Sequence, residues 1–238
     1  MNENQVDLFI YSHLKHLGNK KFRAYYKGTY ASDELEKLHI KHFNKPLCFT
    51  FILNTLKRKE SDVMGHWLCI YISVKPEFKM VNIKFFDSFR NQYHTYGSNI
   101  SDYVDRLRIN TAKVGFSFKM ENAPFILQSY GSKICGGYCC YAVIKLRKCG
   151  ENTLHSIFSK FDRSARKIND ILMGEFIAKN WPLKSCTDTI NNRSGISFCP
   201  KKVYNHFRCL PKCDCKHKKC KNPKSNQYIR RLVYNLFI

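Results

Sequence analysis

The chain has 238 residues, of which 44% are hydrophobic and 14% aromatic, and a formal net charge of +23. That apolar content excludes wholesale disorder, and the length suits one ordinary domain plus an extension. No apolar run approaches the ~20 residues of a membrane span, and so basic a balance points to polyanionic surroundings, nucleic acid foremost.

Residues 1–5 lack a basic leader and no apolar segment follows, so no secretory signal is expected. The twelve cysteines are therefore expected in a reducing compartment, as thiols or metal ligands rather than a disulfide framework.

In chain order, 6–17 carries Leu8, Phe9, Leu14 and Leu17 before Gly18, the pattern of an amphipathic helix closed by glycine. Residues 22–30 are aromatic and turn-containing, suited to core packing or to a groove wall. Ser32 is expected to cap a short helical turn. Three apolar, β-prone runs follow at 47–53, 66–74 and 80–86, and they read as strands buried on both faces. The connection at 75–79 is short enough for a hairpin. A helix is predicted over 102–110 with Val104 and Leu107 inward. A fourth strand is marked by the alternation of Phe116, Phe118 and Met120 with Ser117 and Lys119. The apolar run after Cys135 is predicted as a buried helix, and 164–180 shows a helical stripe stopped by Trp181 and Pro182.

A thiol nucleophile needs a partner that makes thiolate, an orienter for that partner, and donors for an oxyanion. Cys135 at a helix start has its thiolate favoured by the unpaired N–H groups there. His66 begins a predicted strand and Asp87 ends the next one. If those strands are neighbours, the carboxylate can hold the imidazole. Gln128 and the Cys135 N–H can supply the two donors. Trp67, Gly136 and Gly137 are the candidate substrate-contacting residues, the glycines because they leave room for a substrate backbone. Each residue alone is a weak signal, whereas the ordered set is specific. Cys139 and Cys140 read as buried structural thiols, and Cys48 and Cys69 as core.

The ordered set His66-Trp67, Phe86-Asp87-Ser88 and Gln128 to Cys135-Gly136-Gly137-Tyr138-Cys139-Cys140 resembles the adenovirus-type cysteine endopeptidase (adenain) family. That family lies within the clan that includes the SUMO-deconjugating proteases. The seven-residue step from Gln128 to Cys135 and the two cysteines after Tyr138 resemble adenain. The deconjugases typically use six, with Asp before the cysteine, where this chain has Ile134. Tyr25-Tyr26-Lys27-Gly28-Thr29-Tyr30 is similar to adenain's Gly-Thr-Tyr segment. The resemblance covers roughly residues 5–150. It implies an α+β, papain-like fold: a central mixed sheet flanked by helices, with the nucleophile at a helix N-terminus. It implies His66 as base, Asp87 as orienting acid, Gln128 as oxyanion donor and Cys135 as nucleophile, Asp87 standing where adenain often has Glu.

The implied function is a viral-type cysteine endopeptidase that cleaves viral precursor polypeptides during virion maturation. It would act in the virion and host nucleus, as a monomer, with no membrane partner and no cofactor required for the chemistry. The resemblance also implies DNA and an activating peptide as helpers. Ser117 stands where adenain has the cysteine that links its activator, so a covalent activator is not expected. Two alternatives stand beside this reading: a SUMO- or ubiquitin-like deconjugating protease, and a non-enzymatic basic protein that binds zinc and nucleic acid.

The domain division expected is 1–185 for the protease and 186–238 for a basic Cys/His-rich extension. Residues 200–238 hold eleven Lys and Arg against one acid, Asp214. Cys209, Cys213, Cys215 and Cys220 have the number and softness to hold zinc, although their spacing matches no standard site. A flexible basic tail with incidental thiols is the plainer reading. Lys216 and its neighbours suit phosphate contacts in either case.

Overall fold

The computed structural model describes residues 1–40, 42–60, 65–147 and 152–180. The zinc candidates Cys209, Cys213, Cys215 and Cys220, and the whole extension 186–238, lie outside the described residues.

The chain forms an α+β structure around one mixed five-stranded sheet. Helices α1 (Glu3–Leu14) and α2 (Asn19–Tyr25) lead into strand β1 (Tyr26–Ala31), followed by β2 (Leu47–Asn54), β3 (Trp67–Lys75) and β4 (Met80–Phe86). Helix α3 (Ser98–Lys113) crosses to β5 (Ser117–Asn122), and α4 (Cys135–Lys145), α5 (Leu154–Ile157) and α6 (Arg166–Asn180) complete the order. The strands lie in sequence order. β1 pairs parallel with β2, β2–β3 and β3–β4 are antiparallel, and β4 pairs parallel with β5. The hairpin between β3 and β4 turns through Pro76–Phe78, and Lys79 takes the left-handed conformation at φ 45°.

The near-continuous apolar runs predicted double-sided burial, and the sheet shows it. Odd and even residues of β3 face two separate cores, as period-two geometry requires. Cys69 and Tyr71 join Val6, Phe9, Ile10 and Leu14 of α1 with Tyr138, Cys139 and Val143 of α4. Leu68, Ile70 and Ile72 join Phe51 of β2 and Ile100, Val104 and Leu107 of α3. Each such side chain contributes about 1.5–3 kcal/mol by leaving water. The helices therefore cover both faces and leave the ends of the strands for the site.

Three expectations are corrected. Ser32 does not cap its turn. The carboxylate of Glu34 instead reaches back to the Ala31 N–H at 3.0 Å. The stretch 22–30 contains no turn: it holds the end of α2 and all but the last residue of β1. Its aromatics are tied inward: the Tyr25 hydroxyl donates to the Val143 carbonyl at 2.7 Å and that of Tyr26 to Asp7 Oδ1 at 2.6 Å. Cys48 is half-buried and disulfide-bonded rather than a free core thiol. Cys69, Cys135, Cys139 and Cys140 are free and buried, so the expectation for the two α4 thiols holds.

Candidate active site

His66 immediately precedes β3, and its main chain is pinned on both sides by Thr55. The Thr55 N–H donates to the His66 carbonyl at 3.0 Å, and the His66 N–H donates to Thr55 Oγ1 at 3.1 Å. Gly65 makes this approach possible, because a Cβ there would sit 1.9 Å from Asn54 Oδ1 and 2.8 Å from Leu56 Cγ. No sequence signal singled it out.

Asp87 directly follows β4. Because β3 and β4 are neighbouring antiparallel strands, the two side chains meet at one sheet end, with His66 Nε2 2.5 Å from Asp87 Oδ1. The carboxylate is 1% exposed, and every bond it makes is charge-assisted. Oδ1 also accepts the Phe89 N–H at 3.0 Å. Oδ2 accepts the Asn91 N–H and the Tyr96 hydroxyl, both at 2.7 Å. The tight turn 87–91 is closed by the Arg90 N–H on the Asp87 carbonyl, with Arg90 itself at φ 62°. Burial opposes ionisation of Asp87, but His66, Tyr96 and the Phe89 N–H overcome it and hold the carboxyl below its ordinary value.

Cys135 is the first residue of α4, whose approach to β3 is fixed by main-chain contacts. Trp67 lies before the start of the β3–β4 pairing at Cys69, so its peptide groups on that side are open. Two thiols one turn apart on α4 take them. The Trp67 N–H donates to the Cys135 sulfur, and Cys139 Sγ donates to the Trp67 carbonyl at 3.3 Å. The Cys135 side chain also bonds that of His66, and with Nε2 held by Asp87 the imidazole presents Nδ1 to the thiol. Burial pushes the Cys135 thiol up, but the imidazolium and the Trp67 N–H more than reverse this and leave it below its ordinary value. Burial likewise opposes charge on His66, and Asp87 and Cys135 override it, raising the imidazole to about 9. Cys139 and Cys140, buried with no such partner, are pushed well above the ordinary thiol range, which marks them as structural.

Gln128 is fully buried. Its N–H and that of Leu127 both reach the Ser88 carbonyl, at 3.2 and 2.9 Å. Its side-chain Oε1 accepts the Ser88 hydroxyl at 2.6 Å, and its Nε2 donates to the Ser132 carbonyl. An amide carries two N–H donors, so one bond to Ser132 leaves the other for a ligand. The loop between Gln128 and Cys135 is held from α6 by Asp170, which accepts the Ser129 N–H at 3.1 Å, the Ser129 hydroxyl and the Tyr138 hydroxyl at 3.0 Å.

The structure thus joins Asp87, His66 and Cys135 in one line of side-chain contacts, and ties Gln128 to Ser88, the residue after Asp87. It places the other three candidates differently. Trp67 is 4% exposed and packs beneath the site, with its indole N–H on the Met1 carbonyl at 3.0 Å. A Cβ on Gly136 would meet Trp67 Cδ1 at 3.2 Å, and one on Gly137 would meet Ile134, Ile177 and Met173 at 3.2–3.3 Å. The room these glycines leave is thus filled by the protein's own side chains. Their role is close packing of α4, a correction to the substrate-contact expectation.

Ser88, Phe89 and Tyr96 went unrecognised as site residues. The Phe89 and Tyr96 rings lie 5.1 and 5.8 Å from the imidazole, tilted by 32° and 21°. Ser88 stood beside Asp87 in the sequence pattern, and a hydroxyl next to the acid was the available clue. Tyr96 and Asp170 carried none, because only the fold brings them near. Among the described residues no cluster of three or more His, Cys, Asp or Glu could hold a metal.

No protein-family model matches the chain, and no curated protein does. Among solved structures, it is similar to the ASFV pS273R protease at 14% identity and a TM-score of 0.39, with 66% of this chain aligned to 64% of that one. It is similar to a de-sumoylating protease at 14% identity and a TM-score of 0.42, over 86% and 85% of the two chains. It is also similar to HopZ1a, solved in complex with IP6 and CoA, at 10% identity and a TM-score of 0.37, over 98% and 85%. Likenesses this distant leave the chemistry to be argued from the residues themselves.

Proposed function

We propose that this chain is a viral-type cysteine endopeptidase acting by thiol acyl transfer. The observation that carries the proposal is the buried Asp87–His66–Cys135 line at the mouth of α4, with Gln128 fixed beside it by Ser88. A charged line this deep is costly to bury, and the sum of its contacts favours the ionised pair.

The steps follow from the geometry. The Cys135 thiolate attacks a peptide carbonyl carbon, and the carbonyl electron pair moves to oxygen. That oxyanion is met by the remaining Gln128 N–H and by the N–H of Cys135, one of the unpaired donors at a helix start. Collapse breaks the C–N bond, and His66 gives its proton to the departing amine. Water then loses a proton to His66 as it attacks the thioester, and C–S cleavage returns the thiolate. Asp87 stays ionised and holds the ring.

Viral precursor polypeptides as substrates, cleavage after a small residue such as glycine, and action in a virion or nucleus are supported by the seven-residue step and by the adenain-like Cys135–Cys140 run. Nucleic-acid assistance is supported by the charge of +23. The test is an electrophilic peptide probe ending in glycine, applied to the full chain with and without DNA. Labelling lost in Cys135→Ala and His66→Ala is expected. A protein that stays unlabelled under both conditions overturns the proposal. A deconjugase would instead process a folded modifier and ignore short peptides.

A further inference from the structure

An open groove of about 550 Å³ lies beside the site, between the Gln128–Cys135 loop and the start of α6. Its walls include Ser129, Tyr130, Arg163, Arg166, Lys167 and Ile168. Three cations therefore fall within five residues.

The basic side chains that pair with carboxylates lie elsewhere. Arg58 takes Glu3 and Glu34, Lys84 takes Glu121, and Arg108 takes Asp105. Among the described residues, neither Arg163, Arg166 nor Lys167 has a carboxylate partner. The two acids at hand are engaged with the protein itself: Asp162 receives the Ser164 N–H and hydroxyl at 2.7 Å, and Asp170 holds Ser129 and Tyr138. The Arg163 guanidinium lies 5.4 Å from the centre of the Phe125 ring, so this cation has a fixed place without being neutralised.

The groove connects to the chemistry through aromatic rings. The imidazole of His66 is 5.1 Å from Phe89, and Phe89 is 6.1 Å from Tyr130 at an interplanar angle of 29°. Tyr130 is 87% exposed, and Ile168 on the other wall is 56% exposed. An exposed aromatic leading to unneutralised cations suits an extended peptide with an apolar or backbone contact near the base and carboxylates further out.

We propose that this groove selects substrates carrying acidic side chains within a few residues of the scissile bond. The inference rests on the endopeptidase reading and adds a substrate class to it. Charge complementarity acts here on the rate of capture and on choice of partner more than on the chemical step.

The test compares glycine-centred peptides that differ only in Glu or Lys at flanking positions, cleaved by the full chain and by the triple variant Arg163→Glu/Arg166→Glu/Lys167→Glu. The wild type is expected to favour the Glu peptides by about tenfold in kcat/KM, and the variant to reverse that order. Cys135 labelling by a small neutral electrophile reports that the site is intact. If the triple variant fails to label, Arg163→Gln/Lys167→Gln replaces it, with loss of the preference expected. Unchanged Glu-to-Lys ratios with intact labelling overturn the groove assignment while leaving the endopeptidase standing. Absence of labelling in the wild type overturns the endopeptidase itself. In that case, anisotropy of a fluorescent Glu-rich peptide on Cys135→Ala, with and without the reversal, tests the groove alone, and equal binding refutes it. An oligonucleotide whose binding is lost in the variant, with peptide ratios unchanged, assigns the cations to nucleic acid and refutes the proposal.

Discussion

Ser88 donates its hydroxyl to Gln128 Oε1 at 2.6 Å, with both residues fully buried, and this bond fixes which end of the amide is oxygen and which is nitrogen. With the oxygen engaged, the nitrogen turns to the Ser132 carbonyl. Ser88→Ala removes that instruction and leaves a buried acceptor unpaired. A stability loss of about 1–3 kcal/mol is expected. The loss in kcat is expected on the order of tenfold, smaller than the 10²–10³ for an outright missing donor such as Gln128→Ala. Ser88→Thr, which keeps the hydroxyl, should recover most of the rate with KM little changed. Equal rates for Ser88→Ala and wild type would refute this positioning role.

The pH behaviour follows from the signs of the shifts. Cys135 is lowered and His66 is raised to about 9, so thiolate and imidazolium coexist between the two values. Peptidase activity should rise through the lowered Cys135 value and fall as His66 loses its proton near 9. Iodoacetamide alkylation of Cys135 should begin well below the ordinary thiol range, and His66→Ala should move its midpoint upward. For folding, a raised His66 contributes stability that is complete below about 6.5 and lost as pH rises through about 9. The lowered Asp87 contributes stability present above its ordinary 3.8 and lost as pH falls through its folded value. Urea midpoints of wild type and His66→Gln should therefore converge as the solution becomes alkaline.

Tyr96 both donates to Asp87 Oδ2 and lies over the imidazole. Tyr96→Phe separates the two, because the ring remains and the bond goes. A fall in kcat/KM of about three- to tenfold is expected, since water can replace the hydroxyl at this half-exposed position. The alkaline limb of the pH profile should move upward, because a carboxylate with one donor fewer holds the His66 imidazolium more strongly. Tyr96→Ala should cost more, through the lost stacking. An unchanged alkaline limb in Tyr96→Phe would assign the residue to packing only.

Gly65→Ala places a methyl group where Asn54 Oδ1 lies, and Asn54 cannot swing away freely because that oxygen accepts the Leu56 N–H at 3.0 Å. The strain falls on the Thr55–His66 contact. A loss of about 1–3 kcal/mol in stability is expected, together with a fall in Cys135 labelling. Thermal denaturation together with probe labelling measures both.

The sequence was most informative where one physical pattern dominated. The apolar runs placed β2, β3 and β4 almost to the residue, and of the ordered set His66, Asp87, Gln128 and Cys135 the fold joins His66, Asp87 and Cys135 by side-chain contacts. It was silent where the deciding contact is remote. β1 was obscured by aromatics and Gly28 that read as turn, and only its parallel pairing with β2 makes it a strand. Asp170 reaches the Gln128–Cys135 loop from α6, about forty residues on, and nothing local announces that. Gly136 and Gly137 were misjudged for a related reason. A glycine's missing side chain shows that something comes close, but not whether it is a substrate or Trp67.

The alternation of β3 between two cores bears on how this protein can fail. His66 and Asp87 meet only because β3 and β4 pair with Cys69 opposite Phe86. A slip of one residue would turn Leu68, Ile70 and Ile72 into the core that now receives Cys69 and Tyr71, and it would carry the imidazole out of reach of the carboxylate. Misregistered chains should therefore be unstable and unreactive together. Mutations deep in either core, far from the thiol, should lower the fraction of active molecules before they alter the rate constants of those that remain.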